Sequence, residues 1–162
     1  MNKFGVKDCY IIMQKITIII GLPGSGKSTY ISSNEEFRNS VICDDYHKSS
    51  YKKSREFIDS IYFEDLKKGL LGGKNIVISD IAFCKSDRLN KITENIMNLI
   101  AELEIKAHIE YRYFENDPYA CIDNILRRNR VERVEREIEF INMMSSQYHI
   151  PEDAIMIPVY KP

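Results

Sequence analysis

At 162 residues with 44% hydrophobic side chains, the chain suits one domain with a sizeable core and has no room for a second full one. A formal net charge of -1 excludes a uniformly basic nucleic-acid binder, so any contact with phosphate has to come from local clusters of Lys and Arg. Cys9, Cys43, Cys84 and Cys121 are scattered, with no C-x-x-C pair and no His at ligand spacing; this argues against a disulfide framework or zinc site and for a reducing, cytoplasmic setting.

Residues 1–12 read as a peripheral N-terminal extension, because Met13-Gln14-Lys15 followed by Ile16-Thr17-Ile18-Ile19-Ile20 makes a natural start for a domain spanning 13–162. No run reaches the roughly eighteen apolar residues of a membrane span, so no membrane partner is expected. The β-branched run 16–20 predicts a buried first strand, closed by Gly21. Directly after it comes Gly21-Leu22-Pro23-Gly24-Ser25-Gly26-Lys27-Ser28-Thr29, which fits G-x-x-x-x-G-K-[ST] between a strand and a helix expected over 25–33. Glycines let such a loop wrap phosphates with inward-pointing backbone N–H groups, and the helix N-terminus adds partial positive charge. The pattern predicts a site for ATP or GTP with Mg2+: Lys27 follows the β- and γ-phosphates, and the Ser28 hydroxyl is a magnesium ligand.

The short Ser40-Val41-Ile42-Cys43 run predicts a second strand, followed by Asp44-Asp45-Tyr46. A carboxylate at that strand end can meet an acceptor hydroxyl as general base, or it can cap the next segment. A helix is expected over 53–71, then the breaker Gly72-Gly73 and a third strand over 75–79. That strand closes on Asp80 in the manner of a Walker-B carboxylate, suited to orienting magnesium or the acceptor, or to plain capping. Leu89, Ile92, Ile96, Leu99, Ile100 and Leu103 form a helical stripe over 87–104, and a fourth strand is expected over 107–114. Asp117-Pro118 opens a further helix as N-cap and first turn.

Arg127, Arg128, Arg130 and Arg133 then fall within seven positions. They can close over a nucleotide as a lid, or pair with Glu132, Glu135, Glu137 and Glu139 on a solvated face. A helix over 134–148 and a proline-containing edge strand over 154–159 finish the chain. His108 and His149 read as structural, and Tyr111, Tyr113 and Phe114 as packing residues. Alternation of short strands with helices predicts an α/β, doubly wound P-loop NTPase fold: a five-stranded, mainly parallel sheet with helices on both faces and an Arg-rich lid.

Four features in order carry a resemblance to the kinase domain of bacteriophage polynucleotide 5′-hydroxyl kinase and its small P-loop relatives. They are the glycine loop, Asp44-Asp45-Tyr46, Ile78-Ser79-Asp80 with Arg88 after it, and Arg128-Asn129 followed by Arg130 and Arg133. The resemblance implies an ATP-dependent kinase in which Asp44 deprotonates a 5′-hydroxyl, Asp80 supports the acceptor site, and Arg133 or Arg130 contacts the β- and γ-phosphates. It also implies a nucleic-acid 5′ end as partner, with a small hydroxyl compound such as a nucleoside or sugar as the alternative. A third possibility is a nucleotide-binding ATPase or switch that transfers nothing. Where the family pattern continues with Arg, this chain has His47, a poor anchor for an acceptor phosphate unless Lys48, Lys52 or Lys53 substitutes.

Overall fold

The computed structural model describes residues 13–44, 55–128 and 134–162, the side chains of 55–61 excepted. The expectations placed on 1–12, Asp45, Tyr46, His47, Lys48, Lys52, Lys53, Arg130 and Arg133 lie outside the described residues.

Five strands, β1 (Gln14–Ile20), β2 (Val41–Asp44), β3 (Ile76–Ser79), β4 (Ala107–Phe114) and β5 (Ile155–Ile157), form one sheet in the order β2-β3-β1-β4-β5. Every pairing is parallel, which sharpens the expectation of a mainly parallel sheet. The helices are α1 (Lys27–Ser33), α2 (Arg55–Leu71), α3 (Ser86–Glu102), α4 (Pro118–Arg127) and α5 (Val134–Gln147). Two 3₁₀ turns, Glu35–Phe37 and Ile81–Cys84, occupy connections that hydrophobic periodicity does not reveal, since neither spans two helical turns.

Alternation along β1 explains how the chain builds two layers. Ile16, Ile18 and Ile20 enter a large core with Leu66 and Leu70 of α2, Ile96 and Leu99 of α3, Ile125 of α4, and Ile141 and Met144 of α5. Ile19 points to the opposite face and meets Val77, Ile31, Phe37, Phe114 and Ile157. Each of these buried side chains contributes roughly 1.5–3 kcal/mol relative to exposure. Helices therefore cover both faces, but unevenly: the second is held by α1 and the Glu35–Phe37 turn. Among the described residues, no helix is long and apolar enough to cross a membrane.

Tyr113 and Phe114 are buried as expected, and the Tyr111 hydroxyl lies 2.9 Å from Thr93 Oγ1. His108, on β4, and His149, beyond the end of α5, are exposed. The carboxyl ends of β1, β2 and β3 are adjacent: Asp44 lies in register with Ser79, and Ile19 also pairs with Ser79. The glycine loop, Asp44 and Asp80 all leave the sheet along this one rim, where ligands of open parallel sheets bind.

Candidate active site

The loop after β1 turns sharply because Gly24 has φ 80° and Gly26 has φ 100°, conformations costly for any residue with a Cβ. Space forbids a side chain too: a Cβ on Gly24 would lie 2.5 Å from the Cys121 carbonyl oxygen, and one on Gly26 would lie 2.5 Å from Tyr160 Cβ. Gly26 is the N-cap of α1, and it has no side chain to occupy the first N–H groups of that helix. Pro23 and Gly24 are partly exposed, whereas Gly21, Ser25 and Gly26 are buried. Ser28 and Thr29 are exposed on the first turn of α1.

Lys27 is 8% exposed, and its ammonium donates to the carbonyl oxygens of Gly21 at 2.8 Å and Leu22 at 2.9 Å. The charge is thus folded over the entrance of its own loop. Beneath it lie Cys84 and Cys121, whose thiols burial pushes up to about 12 and about 11 against the opposing pull of Lys27. Both are neutral at physiological pH and serve as apolar floor. The loop is stapled from behind by Tyr148, whose hydroxyl reaches the carbonyl oxygens of Ile20 (3.1 Å) and Phe114 (2.7 Å). Burial raises the Tyr148 pKa, so its proton stays in these bonds.

Ser28 Oγ donates to Asp44 Oδ2 at 3.0 Å, joining the first turn of α1 to the end of β2. Asp80 Oδ1 accepts from the Ala82 N–H at 2.8 Å and caps the Ile81–Cys84 turn. Arg128 is exposed at the end of α4, and Arg127 pairs with Asp123 at 2.8 Å on a solvated face.

The residues present fit a nucleotide with its metal. Ser25 Oγ is fully buried without a hydrogen-bond partner and lies 2.9 Å from the position of a Gly21 Cβ, a polar atom facing the space the glycines keep open. Ser28 and Asp80, both oxygen donors at the ends of the loop and of β3, are a sparse set of the kind a magnesium ion shares with substrate phosphates. Among the described residues, no group of three or more His, Cys, Asp or Glu forms a metal cage.

Three residues of this site escape sequence reasoning. Asn124 Nδ2 donates to the Gly24 carbonyl at 2.9 Å and to the Tyr160 carbonyl at 2.6 Å, and the Tyr160 N–H donates to the Ser25 carbonyl at 3.0 Å. Tyr148 is the third. Their partners lie 34 to 135 positions away in the chain, so no local pattern marks them.

No protein-family model matches the chain, and no curated protein is significantly similar to it. Among solved structures, a gluconokinase from Sinorhizobium meliloti superposes with a TM-score of 0.54 at 12% identity, covering 92% of this chain and 84% of that one. A candidate kinase from Chloroflexus aurantiacus superposes with a TM-score of 0.53 at 13% identity, covering 91% and 85%. The likeness at these identities is one of fold, and the chain has the P-loop NTPase α/β fold.

Proposed function

We propose that the protein is an ATP-dependent kinase that transfers the γ-phosphoryl group to an acceptor hydroxyl seated at Asp44. The observation that carries this reading is the 3.0 Å hydrogen bond from Ser28 to Asp44. It sets a carboxylate beside the cradle, within reach of a hydroxyl that approaches the terminal phosphate. In the reaction, Asp44 takes the proton as the acceptor oxygen bonds to phosphorus. The bond from phosphorus to the β–γ bridging oxygen then breaks, and ADP leaves. Lys27 exchanges its two carbonyl partners for phosphate oxygens and stabilises the charge that develops there. Asp80, with Ser28, belongs to the magnesium and acceptor side, and Arg128 together with Arg130 or Arg133 supplies the lid cation. Magnesium bound among these oxygens supplies charge neutralisation to the phosphates.

The acceptor we favour is the 5′-hydroxyl of an oligonucleotide, on the strength of the ordered motifs shared with phage polynucleotide kinase. A second reading, a small alcohol such as a nucleoside or sugar, draws on a cleft of about 380 Å³ that opens at Ser28 and Asp44. Ile31, Phe37 and Ile42 line it, and at Arg38 the guanidinium is paired with Glu35 at 2.8 Å, which suits a compact neutral ring. One of the fold neighbours is itself a gluconokinase.

Label transfer from γ-labelled ATP to a panel of 5′-hydroxyl oligonucleotides, nucleosides and sugars tests both, with Asp44→Asn in parallel. The expected result is a labelled acceptor with wild-type protein, and about a 10²–10⁴-fold slower transfer with Asp44→Asn while ATP still binds. Release of free phosphate with no labelled acceptor would overturn both readings in favour of an ATPase or switch.

A further inference from the structure

We propose that Asn124 is the positioning residue of the phosphate cradle, acting together with the backbone of Tyr160 in the segment that follows β5. The proposal rests on reading 21–29 as a nucleotide cradle. Its core is a matter of peptide geometry. Every peptide bond in the described residues is trans, so each carbonyl points opposite to the N–H of the next residue. Anchoring the Gly24 carbonyl on Asn124 Nδ2 turns the Ser25 N–H back toward the loop, where it donates to the Leu22 carbonyl at 3.2 Å. Anchoring the Ser25 carbonyl on the Tyr160 N–H turns the Gly26 N–H away from the outer segment. Two outward-facing carbonyls, held by two donors, thus fix the loop: one bond backs the turn that Ser25 closes on Leu22, and the other sets the direction of the Gly26 amide.

Asn124 is suited to this work. It is 7% exposed, and both its partners are carbonyl oxygens, so only its amide nitrogen satisfies them. By holding Gly24 and Tyr160 at once it locks the outer segment onto the loop. That segment is fixed from the other side by Val159, 3% exposed in the main core, and by Lys161, whose ammonium lies 3.9 Å from Asp117 Oδ2. Asp117 caps α4, and Asn124 follows it by seven positions on the same helical face, so α4 meets the segment at two points. The helix that ends in Arg127 and Arg128 is therefore tied at its middle to the cradle those arginines would close upon. Glycines at 24 and 26 permit the loop's shape, whereas Asn124 and Tyr160 select it.

The test is equilibrium binding of magnesium-ATP and of magnesium-tripolyphosphate, which probes the cradle without a base, to wild type, Asn124→Ala and Tyr160→Pro. Measurements are made at a temperature where melting curves show each protein folded. Asn124→Ala removes both donor contacts, and Tyr160→Pro removes the N–H that Ser25 accepts. Each is expected to weaken both ligands about tenfold or more, the equivalent of one or two lost hydrogen bonds. The double variant is expected to fall short of the product of the two losses, because both act on one loop. A purely structural role would lower the melting temperature yet leave both affinities within twofold of wild type, and that result would overturn the proposal. Fully multiplicative losses would overturn the shared mechanism as well. If Asn124→Ala melts below the assay temperature, Tyr160→Pro carries the test on the same criterion. Failure of the wild-type protein to bind either ligand would instead remove the cradle reading itself, so the two failures are distinguishable.

Discussion

The nucleotide and acceptor halves of the proposed site are built by different means. On the nucleotide side, backbone groups are fixed one after another: Ile20 O by Tyr148, Gly21 O and Leu22 O by Lys27, Gly24 O by Asn124, and Ser25 O by Tyr160. On the acceptor side, Asp44 ends a four-residue strand at the sheet edge, paired only with β3, and its carboxylate meets the cradle through one side-chain bond. A site made of tied backbone is stiff and indifferent to what is attached beyond the phosphates. A site made of a few side chains on an edge strand changes with each substitution. This is how one fold comes to serve many acceptors, and why a likeness of fold leaves the acceptor to experiment.

The largest effect that would break this comparison is expected at Lys27. Its ammonium is the buried charge of the nucleotide half, and in Lys27→Ala phosphoryl transfer should fall by about 10²–10³-fold or more. The fold should survive, since removing a buried charge also removes its desolvation cost. Steady-state label transfer with a melting curve on the same sample checks both. Transfer retained within tenfold would mean that charge stabilisation arises on the acceptor side instead.

A smaller effect, on stability, should appear at Gly24. With φ 80° and the Cys121 carbonyl oxygen 2.5 Å from the new Cβ, Gly24→Ala meets backbone that cannot swing aside. A loss of about 2–4 kcal/mol is expected, which for a chain of this size lowers the melting temperature by about 5–15 °C. ATP binding should weaken with it, because the obstruction lies where Asn124 holds the loop. An unchanged melting temperature would show that the nucleotide half is less rigid than its bonds suggest.

What was legible beforehand follows the same division. The glycine loop could be read because its chemistry needs a fixed local spacing, and β1 because five consecutive β-branched residues, four of them Ile, suit a strand buried on both faces. Asp117 and Pro118 announced α4 through their capping chemistry, and Asp117 does accept from the Ala120 N–H at 3.0 Å. The Ile81–Cys84 turn escaped because three or four residues carry no period. Asn124, Tyr148 and Tyr160 escaped because their contacts are long-range and mostly to backbone, so side-chain pattern holds no trace of them. The direct bond between Ser28 and Asp44 was only half visible: each residue stood out alone, but their meeting depends on β2 lying two strands from β1, which local sequence does not specify.

The smallest effect concerns the turn that carries the chain from one half to the other. Glu36, on the Glu35–Phe37 turn between α1 and β2, accepts from Lys15 and from Arg112 Nη2, which lies 3.0 and 2.8 Å from its two carboxylate oxygens. Arg112 in turn donates to the Tyr30 hydroxyl at 2.8 Å, so β1, β4, α1 and the turn share one network. The hydrogen bond from Lys15 holds the Glu36 carboxyl below its usual 4.5; burial works in the opposite direction, and Arg112 adds to the lowering. A carboxylate with a depressed folded pKa contributes stability above the unfolded value. That contribution is lost as pH falls through the folded one. Glu36 is exposed, so the contribution is screened: Glu36→Gln should lower the melting temperature at pH 7 by only about 1–3 °C. The gap should close as the pH falls below the usual carboxylate value of 4.5 and on through the lowered folded one, and shrink near 1 M salt. Melting curves of the pair across pH 3 to 7 measure it. A gap that persists in acid would mean that the turn is held by its packing, through Phe37, rather than by the charge on Glu36.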